Sequence, residues 1–451
     1  MKKLFLILIL SALALPVGAQ QKRDGAVRRE QSGGRSNDAK EHSARERKTY
    51  RIMRSADWTQ VMPSCNADAL NSLKATREFG FQSSHLPRFV ITTPSNRFIF
   101  GIGGYVNLRT AYDLGGAITG ATDFIPYYIP VPDSPLSREK LTMSSSTTRL
   151  FFKAIANTEH LGRVVAYIET DFRGGSDEND LRLRKAYIQM LGFTLGRDVT
   201  TFCDLGAAPR TIDFEGPNAY NFNFNQMIRY TWTISPSFTF AAALENPQIS
   251  GVFTSDLVRI AQRVPDLPLY VQWNFGRNKM SHLRASGVLR DLVYYNLSKS
   301  KTQDVFAWGA QLSGNIHLTK DVDLTFQSVC GRGIGPYIQE LTGRGFDLVP
   351  DVDNADKLQA LPMYGWQAAL KYSISKIWSV SGGYSQVGVD SRNGYKPNDL
   401  YHRGTYIFGN SFLNLSPDCV VALEYLHGSR TNMDSSKGAA NRIQAMVQYN
   451  F

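Results

Sequence analysis

From Phe98 to the C-terminus, apolar and polar residues alternate with period two, the pattern of strands with one apolar and one polar face. The last segment shows it best. Ile443, Ala445, Val447, Tyr449 and Phe451 share one face, and Arg442, Gln444, Met446, Gln448 and Asn450 share the other. Phe306, Trp308, Ala310, Leu312, Ile316 and Leu318 repeat the apolar face against Gln311, Ser313, Asn315 and His317. Tyr364 to Tyr372 and Leu269 to Phe275 do so again.

Soluble sandwiches also alternate, so the connections carry more weight. The pattern predicts strands near 98–114, 147–157, 163–173, 181–191, 193–200, 226–235, 237–246 and 268–276. It continues with 280–298, 304–318, 322–332, 362–374, 377–389, 402–413, 418–429 and 440–451, about sixteen in all, the even number that single-chain bacterial barrels require. Short links at 158–162, 235–236, 277–279, 319–321, 375–376 and 415–417 alternate with long ones at 115–146, 201–225, 247–267, 333–361 and 390–401. Short turns at one end and long loops at the other are the signature of a transmembrane antiparallel β-barrel of the bacterial outer membrane. Tyr230, Trp232, Trp366, Tyr372 and Trp378 fit its interfacial girdles.

Upstream of Phe98 the period is lost. Met1-Lys2-Lys3, an apolar run from Leu4 to Leu15 and the small residues Val17-Gly18-Ala19 read as a signal peptide over 1–19, cleaved after Ala19. The run is too short to span a bilayer as a helix, and no later stretch reaches the roughly 20 apolar residues a spanning helix needs. Residues 20–97 read as a periplasmic extension, flexible over 20–57, with a short helix expected between Asp68 and Phe81. The barrel then occupies 98–451.

Charge and cysteine content narrow the picture further. The net charge is +11, with a basic excess in 20–57. That segment lacks interleaved aromatics and the chain is exported, so nucleic acid is not an expected partner. Cys65, Cys203, Cys330 and Cys419 are too dispersed for a disulfide scaffold or a zinc site, although one bridge from Cys203 to a neighbouring loop stays open. No cofactor or metal is expected.

If the apolar face meets lipid, the other face lines a lumen. Arg182 and Arg184 then point inward between Leu181 and Leu183, as do Arg149 and Lys153, Arg229, and Arg109 with Asn107 and Asp113. Glu169, Asp171, Glu245 and Glu424 share that lumen. Inward cations select anions, and guanidinium groups grip carboxylates or phosphates with two hydrogen bonds. A polar interior held together by structural ion pairs is the competing reading. The long 201–225 link follows about the fifth strand, where sixteen-stranded porins fold their third loop inward. Asp204, Arg210, Asp213 and Glu215 are therefore constriction candidates.

The chain resembles the DcaP-like porins through Gly104-Tyr105-Val106-Asn107-Leu108, Phe124-Ile125-Pro126, Thr148-Arg149-Leu150 and Glu169-Thr170-Asp171-Phe172. The likeness continues in Leu181 to Tyr187, Thr200 to Asp204, Asp213 to Asn218 and Ile228-Arg229-Tyr230-Thr231. It implies a sixteen-stranded homotrimer with arginines at the constriction and a preference for small, dicarboxylate-like anions. The family's N-terminal coiled coil has no counterpart, since 20–57 carries no apolar heptad. The terminal Phe451 resembles the recognition signal of the barrel-assembly machinery.

Other functions find less support. The histidines His42, His85, His160, His282, His317, His402 and His427 are scattered and no GxSxG elbow occurs, so no enzyme is expected. The chain is too short for a plugged TonB-dependent transporter. A non-conducting structural or adhesive barrel remains the alternative to a passive channel.

Overall fold

The computed structural model describes residues 51–54, 72–74 and 86–451, apart from 94, 96, 119, 121, 177 and 178. The expected signal peptide, Cys65 and most of the expected extension lie outside the described residues. Of the helix anticipated between Asp68 and Phe81, Ser72–Lys74 are described and helical.

Sixteen strands form a closed antiparallel barrel. The first half comprises β1 (Phe98–Gly115), β2 (Arg149–Thr158), β3 (Gly162–Gly174), β4 (Asp180–Met190), β5 (Phe193–Val199), β6 (Phe224–Ser235), β7 (Phe238–Glu245) and β8 (Leu267–Phe275). The second comprises β9 (Ser281–Asn296), β10 (Lys301–His317), β11 (Val322–Arg332), β12 (Pro362–Ser373), β13 (Trp378–Val389), β14 (Tyr401–Asn414), β15 (Cys419–Asn432) and β16 (Lys437–Asn450). Each pairs with the next, and β16 returns to β1, with Asn450 opposite Tyr105 and Met446 opposite Arg109. Closure matters because an open edge in lipid would leave a row of unsatisfied backbone groups.

Beyond β16 the closure is completed by two further pieces. Phe451 and Gly104 exchange backbone hydrogen bonds of 2.9 and 3.0 Å. Gly104 is needed there, because a Cβ would lie 2.2 Å from the Arg149 carbonyl oxygen and 3.2 Å from the Phe451 ring. Below that point Phe89–Thr92 pairs with Ile99–Ile102 of β1, and Arg51–Arg54 pairs in turn with Phe89–Thr92. The sheet thus begins before the boundary at 98 that the alternation suggests.

The two faces sort as the alternation requires. Trp232, Ile228, Leu312, Leu423 and Val447 stand exposed on the outer wall, while Asn107, Arg149, Glu169, Gln327 and Glu424 are buried inside. The apolar core is split accordingly. Its largest cluster lies within the barrel, where Phe202 and Ala219 of the 200–223 link meet Ile334, Tyr337, Ile338 and Leu341 of the 333–361 link. A second cluster packs Phe124 and Ile129 of the 116–148 link on Tyr406, Phe408 and Leu426 of the wall. Cys203, Cys330 and Cys419 are free thiols, so the bridge left open for Cys203 is not formed. Burial pushes the Cys203 thiol up to about 12, against a hydrogen bond with Tyr220.

Candidate pore constriction

The link between β5 and β6 leaves the wall and runs through the barrel, because buried wall side chains accept or donate its hydrogen bonds all along its path. At the start, Glu245 accepts from the Thr201 N–H at 2.7 Å and from the Thr200 hydroxyl at 2.6 Å. Asp204 then accepts from Ser313 at 2.7 Å and pairs with His282 at 2.9 Å. Burial alone would raise Asp204, but Arg284 and His282 outweigh it and hold the carboxyl below its usual range. At the far wall Glu424 accepts the Ile212 and Asp213 N–H groups at 3.0 and 2.9 Å, with Asn410 and Gln444 donating to the same carboxylate. On the return, the Ala219 N–H donates to Ser385 at 3.0 Å and Gln327 donates to the Ala219 carbonyl at 2.7 Å. The link is therefore a strap with fixed positions rather than a free loop.

The expected inward charges do not meet at one point; the structure distributes them over several places. Arg149, Lys153, Glu169, Asp171, Arg182 and Arg184 come together on β2, β3 and β4. Arg184 donates to Glu169 at 2.8 Å and to Asp171 at 2.9 Å, and Arg182 holds Asp171 with bonds of 2.9 and 2.6 Å. Arg149 lies 3.5 Å from Glu169, which also accepts from Tyr167 at 2.7 Å. Lys153 sits 5.7 Å from the Tyr167 ring centroid. Arg149 and Arg184 are wholly buried and tie β2, β3 and β4 together, whereas the Arg182 side chain stays 38% exposed.

Lys185 was not among the residues the alternation assigned to the lumen. A register shift between Glu169 and Thr170 inserts one extra residue in β4, which turns both Arg184 and Lys185 inward. Lys185 then reaches Asp198 at 3.2 Å, which Arg229 also grips at 2.5 Å. Strict period two gives no hint of this.

The strap divides the short-turn half of the lumen into two chambers that share Gly206 and Asn315. The first, about 780 Å³, contains the cations Arg109, Arg210 and Lys376, and no carboxylate among its lining residues. The Arg210 guanidinium stacks 4.0 Å from the Phe412 ring centroid, and its carbonyl accepts from Asn410 at 2.9 Å. Desolvation pulls Arg210 down to about 10, which leaves it cationic at neutral pH. Arg109 donates to the Ile212 carbonyl at 2.6 Å and lies 5.2 Å from the Phe214 ring centroid.

The second chamber, about 1320 Å³, gathers Lys185, Arg229, His282 and Arg284 around Asp198 and Asp204. Arg284 stacks on Tyr270 at 4.1 Å and donates to the Cys203 carbonyl at 2.7 Å. Its place was legible, since it shares the inward parity of His282 and Ser286 on β9; what escaped the sequence was its proximity to the strap.

Asp213 and Glu215 lie on the strap's other side and line neither chamber. Asp213 accepts from the Phe124 N–H and the Tyr406 hydroxyl, each at 2.9 Å. Burial drives both carboxyls well above their usual range, and Asp123 raises them further. Toward the long-loop end, Arg290 ties the links together: it pairs with Asp266 at 3.0 Å and with Asp347 at 3.4 Å. Asp347 in turn accepts from Gly335 and Ser250.

Glu340, on the 333–361 link, accepts from Tyr401 at 3.0 Å, and burial pushes it up to about 8. The folded form thus holds a proton that the unfolded chain has lost, and its stability falls as pH rises from about 4.5 toward 8. Glu340→Gln is expected to flatten that slope and to raise stability at pH 8 by about 1–3 kcal/mol. The heat-modifiability midpoint on gels, followed against pH, checks it; an unchanged slope contradicts the assignment.

The comparisons with known proteins agree with this architecture. The family model described as the DcaP outer membrane protein matches residues 38–451. No curated protein matches the sequence. The outer membrane channel DcaP of Acinetobacter baumannii superposes with a TM-score of 0.68 at 17% identity, over 78% of this chain and 97% of that one. OmpF of Salmonella typhi, solved in complex with daunomycin, gives 0.51 at 14% identity, over 79% and 98%. At these identities the solved structures establish the sixteen-stranded barrel fold, and the family match establishes kinship: this chain belongs to the DcaP outer membrane protein family, a porin-type barrel of the outer membrane.

Proposed function

We propose that the chain is a passive diffusion channel for small hydrophilic, preferentially anionic solutes of dicarboxylate type, assembled as a homotrimer and without enzymatic activity. The observation that carries the reading is the first chamber, where Arg109, Arg210 and Lys376 face the lumen with no lining carboxylate beside them. An anion entering it exchanges hydration for guanidinium hydrogen bonds, and a second carboxylate can engage a second cation. On this reading the short turns and the N-terminal extension face the periplasm, the long links face outward, and Phe451 serves as the assembly signal.

Planar-bilayer recording tests it. Stepwise conductance with current block by a small dicarboxylate is expected, and Arg210→Ala weakens that block about tenfold, the value of one lost charge-assisted hydrogen bond. Block unaltered by the substitution contradicts the role of Arg210. One observation favours the second reading, a non-conducting surface barrel: the 333–361 link packs into the barrel against Phe202. Bilayers without conductance steps would decide for it.

A further inference from the structure

Phe214 of the strap is buried among cations rather than apolar side chains. Its ring is 5% exposed, yet none of the barrel's described apolar clusters includes it. The Arg109, Arg173 and Arg184 guanidinium carbons lie 5.2, 4.8 and 5.3 Å from its centroid, one each from β1, β3 and β4. A ring attracts cations over its two faces and repels them at its edge. Three guanidiniums around one ring therefore cannot all gain, whereas an anion at that point attracts every one of them.

Arg173 is held by Asp123, and Arg184 by Glu169 and Asp171. Arg109 differs. Among the described residues it enters no ion pair, and its buried Nε has no hydrogen-bond partner. A buried guanidinium short of acceptors is costly, and an anion beside it relieves that cost. Arg109 and Phe214 both line the first chamber, whereas Arg173 and Arg184 do not. The ring thus stands between the chamber and those two cations. Its backbone is tied, because the Phe214 N–H donates to the Thr122 carbonyl at 3.2 Å, and Tyr406 and Glu424 hold Asp213 before it. The side chain is what can move, turning about its own bonds into the chamber of about 780 Å³ that it already lines.

We propose that Phe214 gates the anion path, and that a small anion in the first chamber opens it by taking the ring's place among the three arginines. The anion passes from Arg210 to Arg109 as the ring turns aside. Arg173 and Arg184 then draw it onward, and the ring returns once it has gone. A cation gains nothing at that point and leaves the ring in place, so the gate discriminates by charge as well as by size. The proposal rests on the reading of the chain as an anion channel and names the residue that regulates it.

Planar-bilayer recording of the full chain in potassium chloride tests it, with heat-modifiability on gels showing that each variant folds. The natural channel is expected to show brief closures that become rarer as chloride is raised. Phe214→Ala is expected to remove those closures and to raise single-channel conductance about twofold, since a methyl group leaves the point open. Phe214→Trp is expected to lower conductance and lengthen the closures. Conductance unaltered in Phe214→Ala, or a change of the same sign in both variants, overturns the gate and leaves the channel standing. Closures equally frequent at every chloride concentration overturn the role of the anion. Steps from Phe214→Ala alone support the gate, whereas no steps from the natural protein or either variant overturn the channel reading with it.

Discussion

Asp171→Ala is expected to cost the folded barrel about 3–5 kcal/mol, the loss typical when one partner of a buried ion pair is removed. Asp171 is fully buried and serves two arginines at once, Arg182 and Arg184. Removing it takes one carboxylate from Arg184, itself 1% exposed, and the other described one, Glu169, already serves Arg149. Arg182 is 38% exposed on its side chain and recovers part of its loss by hydration. Asp171→Asn keeps some of the acceptors and costs less. Urea unfolding in detergent micelles, followed by tryptophan fluorescence, reads the difference. A loss below about 1 kcal/mol would mean the pair behaves as an exposed one, contradicting its burial.

Glu424→Ala has the largest expected effect on conduction. Its carboxylate holds the turn of the strap through the Ile212 and Asp213 N–H groups, and its removal orphans both donors at about 1–3 kcal/mol each. Those donors recover partners when the segment around Arg210 to Asp213 leaves the wall and meets water. Single-channel conductance then rises, open-state noise increases, and block by anions weakens because Arg210 loses its place above Phe412. Glu424→Gln retains an acceptor oxygen and falls between. Conductance and block equal to those of the natural protein would show that other contacts suffice to hold the strap.

The sixteen strands were legible because lipid on one side and water on the other impose period two on every one of them, and no helix competes for those segments. The inward course of the 200–223 link was legible only as a place in the strand order. Its fixed path depends on carboxylates from β7 and β15, Glu245 and Glu424, which lie far along the chain from the groups they bind. Strand parity places the wall arginines on the inward face and says nothing of the compartments into which that face is divided. Arg149 of the wall is sealed among carboxylates, whereas Arg210 of the strap opens on a chamber lined by none. Lys185 is invisible to period two because a bulge reverses parity locally.

The division of labour between these arginines reconciles a barrel rich in internal carboxylates with the proposed anion preference. Glu169, Asp171, Asp198 and Asp204 are each engaged by arginine or lysine and hold walls and strap in place. What faces the first chamber is the remainder, and that remainder is positive. The zero-current potential of the natural protein across a planar bilayer, in a tenfold gradient of potassium chloride, measures this directly. The account predicts a potential of the sign set by chloride, reduced by Arg210→Ala; a potential of the sign set by potassium would contradict it.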